Sequence, residues 1–181
     1  MAPDMSDEER FEHINDLFHE ELFEEALILC DELLESCIDP IICANTLRRT
    51  GDCKHQLGRS REALTYYAQA LKIATGDDFT TCMIYLSKAL VLQSLRRYAQ
   101  AQKAFQKAVE HAGDDEDLEQ IKAYWEGLLF EIETSSDQDE FEQEKSKVLS
   151  TFQQAFEQVA GRQPDALSIV SEWSKRPVLR A

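Results

Sequence analysis

A pattern of small and bulky residues recurs three times in this chain and restricts its fold more than any other feature. Ala26, Ala63 and Ala101 stand 37 and 38 residues apart. Three residues before them are Phe23, Ser60 and Tyr98, and four after them Cys30, Tyr67 and Phe105. Leu33, Ala70 and Ala108 follow at seven, and Leu34, Leu71 and Val109 at eight. Nine residues before the alanines stand Leu17, Lys54 and Leu92, of which Lys54 breaks the pattern. Positions i, i+4, i+7 and i+8 share one helix face, so each block closes with an amphipathic helix. The small residues let a neighbouring helix approach closely and the aromatic fills the groove between them.

A second helix and a tight turn precede each of these helices. In the middle block the turn is Leu57-Gly58-Arg59-Ser60, whose glycine suits the left-handed backbone that closes a helix. The other two turns, Glu21-Leu22-Phe23 and Leu95-Arg96-Arg97-Tyr98, contain no glycine. With four prolines and six glycines in 181 residues, little else interrupts the helices.

The stretch TGDCKHQLGRSREALTYYAQALKIA resembles a tetratricopeptide repeat. Gly51 matches the small residue of the motif's first helix and Gly58 its turn glycine. Ala63, Tyr67 and Ala70 match the small-aromatic-small series of its second helix. The next block, ALVLQSLRRYAQAQKAFQKAV, matches through Ala89, Tyr98, Ala101, Phe105 and Ala108. The first block, LFHEELFEEALILCDELL, is a degenerate copy with Cys30 and Leu33 at the aromatic and small positions. The resemblance implies an all-α fold, a right-handed superhelical array of antiparallel helix hairpins. Two departures stand out. The repeats are longer than the usual length of about 34 residues, and Thr75 stands where proline is common.

The expected organisation is an acidic segment over residues 1–7, then repeats over 8–43, 44–77 and 78–113. Capping helices follow over 114–174 and a basic tail over 175–181. Leu118, Ile121, Trp125, Leu128, Leu129 and Ile132 are spaced for one stripe of a helix that stacks on the third repeat as a degenerate fourth hairpin. A second long helix is expected from Asp137 to Ala160, able to cap the array, lie in its groove or pair with another copy. Arrays of this kind need ends that cover the core.

Charge is uneven. The net value is −16, yet residues 44–111 hold 11 bases against five acids, a net +6. Residues 1–43 hold 14 acids against one base, and 112–181 hold 16 against seven. Such acidity argues against sequence-independent nucleic-acid binding. The basic middle could receive an acidic peptide, although a solvated face that offsets the acidic flanks explains it as simply. The 13 carboxylates between Asp114 and Glu144, with Lys122 as the single base, read in the same way.

The sequence offers no phosphate-binding glycine loop, H-E-x-x-H helix or G-x-S-x-G elbow, and the expectation is a non-enzyme without cofactor. Cys30, Cys37, Cys43, Cys53 and Cys82 show no C-x-x-C pair. Their odd number suits a disulfide framework badly, so all five are expected as thiols packed in helices. His13, His19, His55 and His111 are too scattered to suggest a metal site. Met1 to Arg10 lacks the basic start and apolar run of a signal peptide, and no stretch reaches the length of a membrane span. A cytoplasmic location without membrane partners is the expectation.

The family resemblance implies that the first helices of the hairpins line a concave groove. Phe11, Asn15 and Phe18 would contribute from the first block. Asn45, Arg48, Arg49, Asp52 and His55 would follow from the second, and Met83, Leu86, Leu90 and Gln93 from the third. Asn15 falls at one position of the clamp that some family members use for chaperone carboxylates. Phe11, Arg49, Met83 and Ser87 do not complete that set. The expected partner is another protein, bound as a peptide or amphipathic helix, with acidic residues that Arg48 and Arg49 could meet. The adaptor or scaffold reading leads. Its alternatives are a chaperone for apolar client segments, similar to those of type III secretion translocators, and a self-associating array that dimerises through the C-terminal helices.

Overall fold

The computed structural model describes residues 5–113 and 115–134, with Ser150, Thr151, Gln154 and Ala155. The expectations for the 137–160 helix, apart from those four positions, and for the basic tail lie outside the described residues. Among the described residues seven helices follow one another: α1 (Asp7–His19), α2 (Phe23–Ser36), α3 (Pro40–Gln56), α4 (Ser60–Ile73), α5 (Asp78–Ser94), α6 (Tyr98–His111) and α7 (Asp115–Thr134). Consecutive helices pair as α1/α2, α3/α4 and α5/α6, and α1, α3, α5 and α7 also touch in series. This is the α-solenoid that the repeat pattern predicts.

Hairpin starts and hairpin turns are built differently. The first helix of each pair begins at a side-chain cap that satisfies backbone amides left without partners. Ser6 Oγ accepts from Glu9 N at 3.2 Å while the Glu9 carboxylate accepts from Ser6 N at 2.8 Å, a reciprocal box. Asp39 accepts from Ile41 N and Ile42 N at 2.7 and 3.1 Å, with Pro40 as the first helical residue. Asp77 accepts from Thr80 N at 2.6 Å. The second helices have no such caps and follow a left-handed residue instead. Glu21, Gly58 and Arg96 occupy equivalent positions with φ of 62°, 76° and 55°. Only Gly58 adopts that backbone without a Cβ penalty.

The core runs as three linked clusters, and each borrows from the next hairpin. Ile14, Leu17, Ala26, Cys30 and Leu33 of the first hairpin enclose Cys53 of α3. Ala44, Leu47, Ala63, Tyr67 and Ala70 of the second enclose Ile84 and Val91 of α5. Leu86, Ala89, Tyr98, Phe105 and Ala108 of the third enclose Leu118, Ile121 and Trp125 of α7. Phe105 and Trp125 stack with ring centroids 5.5 Å apart and planes 17° from parallel. α7 thus packs against both α5 and α6 at the end of the row. Each hairpin therefore depends on its neighbours, as expected of a quasi-one-dimensional array.

Small residues of the motif have steric roles that can be read directly. A Cβ on Gly51 would lie 2.5 Å from Cε1 of Tyr67, which packs flat on α3. At Gly58 a Cβ would meet nothing within 4 Å, and only the left-handed φ of 76° resists substitution. Gly51→Ala is expected to cost about 1–3 kcal/mol through displacement of the ring. Gly58→Ala is expected to cost about 1–2 kcal/mol through the backbone alone. Urea titrations followed by circular dichroism would measure both.

The cysteine expectation needs correction. Cys37 and Cys43 form a disulfide across the α2–α3 turn, with Cα atoms 6.0 Å apart, well within bridging distance. α2 ends at Ser36, and the cap at Asp39 reverses the chain, which brings the two sulfurs together. Counting cysteines cannot reveal a pair made by local chain reversal. Cys30, Cys53 and Cys82 are buried and lie outside this bridge, as expected. Burial pushes the Cys30 thiol up to about 11 and the Cys53 thiol up to about 12, so neither forms thiolate at pH 8. Unreduced native protein should therefore react slowly with a thiol reagent at pH 8. Three groups should appear on denaturation and five after reduction. Five groups in denatured, unreduced protein would show that the bridge is not formed.

Candidate protein-binding surface

α1, α3 and α5 lie side by side and turn one face of each away from their hairpin partners. At the centre of this row is a polar network around Asp52. Its Oδ2 accepts from Arg48 Nη1 at 3.0 Å and from Arg49 Nη1 at 3.4 Å. Its Oδ1 accepts from the hydroxyl of Tyr67, on α4, at 2.8 Å. Arg49 also donates through Nε to Asn15 Oδ1 on α1 at 2.8 Å, and its guanidinium lies 4.3 Å from the centroid of Phe18. Five residues expected in the groove, Asn15, Phe18, Arg48, Arg49 and Asp52, thus meet in one cluster.

These groups are largely withdrawn from water. The side chains of Arg48, Arg49 and Asp52 are 11%, 12% and 13% exposed. Arg48 Nε is buried without a hydrogen-bond partner. Burial, and then the adjacent Arg48 charge, lowers the Arg49 pKa. Burial, with the Asp52 carboxylate next, raises that of Tyr67, so the phenol stays protonated and donates. Two guanidiniums face one carboxylate, which leaves the cluster with an excess of one positive charge.

The remaining groove positions fall elsewhere. Asn45 donates to Ile41 O at 3.1 Å and to Thr80 Oγ1 at 3.2 Å, a link from α3 to α5. His55 Nδ1 is 2.9 Å from Ser60 Oγ, at the α3–α4 turn. Phe11 packs half-buried against the first core cluster, and Leu90 against the third. Leu86 is 3% exposed and belongs to that third cluster itself. Gln93 is half-buried on α5. Met83 lines an open cleft of about 340 Å³ between α5 and α7, together with Phe79, Glu116, Asp117 and Gln120.

Phe79 is 59% exposed at the mouth of this cleft. Phe79 is one of several exposed large apolar side chains, with Ile28 at 59% and Ile38 at 90%. Sequence reading missed Phe79, Glu116 and Gln120. Phe79 lies one helical turn before Met83, and that spacing would have identified it. A second cleft, of about 280 Å³, lies between α5 and α6 and is lined by Tyr85, Lys88, Leu92, Gln100, Lys103, Ala104 and Lys107.

Among the described residues, no group of three or more His, Cys, Asp or Glu could hold a metal ion. No described helix is long and apolar enough to cross a membrane. Residues 49–77 and 84–115 match the family model of the tetratricopeptide repeat. The matches cover the end of α3 with α4, and most of α5 with α6. Over these two stretches the chain is similar to the tetratricopeptide repeat, whose repeats generally serve as protein–protein interaction modules. A search of curated proteins found no match.

Asp52 neutralises charge that water does not reach, and removing it should be costly. Asp52→Ala is expected to destabilise the fold by about 3–5 kcal/mol, because two guanidiniums lose their shared partner. Tyr67→Phe, which keeps the ring on Gly51, should cost about 1.5–3 kcal/mol. Chemical denaturation of the two variants would test both, and a loss below about 1 kcal/mol for Asp52→Ala would show the pair to be solvated.

Proposed function

We propose that this protein is a non-catalytic adaptor that holds a segment of a partner protein against the face formed by α1, α3, α5 and α7. The observation that carries this reading is the open cleft beside Phe79 and Met83, at the α5–α7 end of that row. An exposed aromatic next to a flexible thioether suits an apolar side chain from an amphipathic helix or extended peptide. Phe11, Phe18, Asn45 and Leu90 would extend the contact along the same row. Arg48 and Arg49 already share Asp52, so an acidic group of the partner would be recognised there as a third member of the cluster. The proposed place of action is the cytoplasm, a reducing compartment in which the Cys37–Cys43 bridge would be open. No observation favours the secretion-chaperone reading. The self-association reading rests on the 137–160 helix, which lies outside the described residues apart from Ser150, Thr151, Gln154 and Ala155.

Affinity capture from lysate with wild type and with Phe79→Glu tests the proposal, since Phe79 is exposed and its replacement leaves the core intact. A partner retained by wild type and lost by Phe79→Glu, at unchanged helicity and melting temperature, is the expected result. Retention of the same proteins by both would remove the cleft from the interface.

A further inference from the structure

The third hairpin carries a second cleft that the groove does not use. Tyr85 and Lys88 project from α5 two residues away from Met83 and Leu90 respectively, nearly the opposite side of the helix at 100° per residue. The cleft floor is Tyr85, Leu92 and Ala104, and its banks carry Lys88 on α5 and Lys103 and Lys107 on α6. Tyr85 is held by stacking on His111, with centroids 6.0 Å apart and planes 13° from parallel. Lys88 lies 6.0 Å above the same ring. Lys107 pairs with Glu110. Among the described residues, neither Lys88 nor Lys103 has a carboxylate within ion-pair distance. In a chain of net charge −16, three lysines around one apolar-floored cleft are a local inversion of sign.

We propose that this cleft binds an acidic, extended segment of a partner protein. Lys103 and Lys107 are four residues apart on a helix, a rise of about 6 Å. Alternate side chains of an extended peptide repeat at about 6.6 Å, so carboxylates in an acid-x-acid arrangement meet both lysines in register. Lys88 closes the opposite bank, and the apolar floor accepts an aliphatic side chain of the segment. Charge complementarity selects the ligand, and the acidity of the rest of the chain selects against a long polyanion such as nucleic acid. Together with the groove, the hairpin would offer two faces to two partner segments, and the cleft stands whether or not the groove is used.

Fluorescence anisotropy with the full chain gives the test. The probe is a labelled decapeptide with glutamate at alternate positions and leucine or serine between; the control replaces every glutamate with glutamine. Wild type should bind the glutamate peptide and not the control, and added salt should weaken binding. Lys88→Glu, Lys103→Glu and Lys107→Glu combined should weaken it about tenfold or more. Should that variant fold poorly, Lys88→Gln with Lys103→Gln should still weaken it several-fold, and Phe79→Glu should leave it unchanged. Equal binding of both peptides, no binding by wild type, unaltered affinity in a folded lysine variant, or tighter binding of an oligothymidylate would each overturn the proposal. Loss of groove capture in Phe79→Glu with the peptide still bound separates the two sites.

Discussion

A carboxylate held between two guanidiniums and a phenol, where little water reaches, ties three helices to one point. Asp52 holds Arg48 and Arg49 on its own helix and receives the hydroxyl of Tyr67 from the next. Arg49 carries the connection back to Asn15 and Phe18 on α1. None of these groups can be given up singly, because each removal leaves a polar or charged neighbour unpaired in a poorly solvated place. The Tyr67 ring reaches Asp52 only because Gly51 lets it lie against α3. The small residue of the repeat thus serves the ion network as well as helix packing.

Much of the fold was legible in the sequence because it depends on side-chain size at fixed spacing. Ala63, Tyr67, Ala70, Ala101, Phe105 and Ala108 are buried along α4 and α6 as the repeat pattern requires. Leu118, Ile121 and Trp125 of the stripe beyond are buried too. The turns at Glu21 and Arg96 were less legible. They adopt the same left-handed backbone as Gly58 without glycine, since the packed hairpin holds a conformation that local preference resists. The Cys37–Cys43 pair was not legible either, because it depends on where α2 stops and α3 starts.

The groove chemistry was harder to read than the helices that carry it. Arg48 and Arg49 look like free cations on a helical wheel, and their shared acid is three or four residues away on the same helix. Whether such a cluster faces water depends on Tyr67 and Asn15, which are distant in sequence and fold against it. The basic surplus of residues 44–111 was real, but its accessible part lies on Arg59, Arg61, Lys72, Arg96, Arg97 and the lysines of the α5–α6 cleft rather than on Arg48 and Arg49. Net charge over a segment says nothing of which side of a helix holds it.

The borrowed core residues give the joints of the array different chemistries. The joint between the first two hairpins combines Cys53 and the Cys37–Cys43 bridge with the polar contact from Arg49 to Asn15. The joint to the third hairpin combines Ile84 and Val91 with the hydrogen bond from Asn45 to Thr80, and the last rests on Leu118, Ile121 and Trp125. Apolar burial weakens on cooling while a buried polar contact does not follow that curve. Temperature therefore acts unequally along the chain. Cooling should weaken most the last joint, where Leu118, Ile121 and Trp125 are buried.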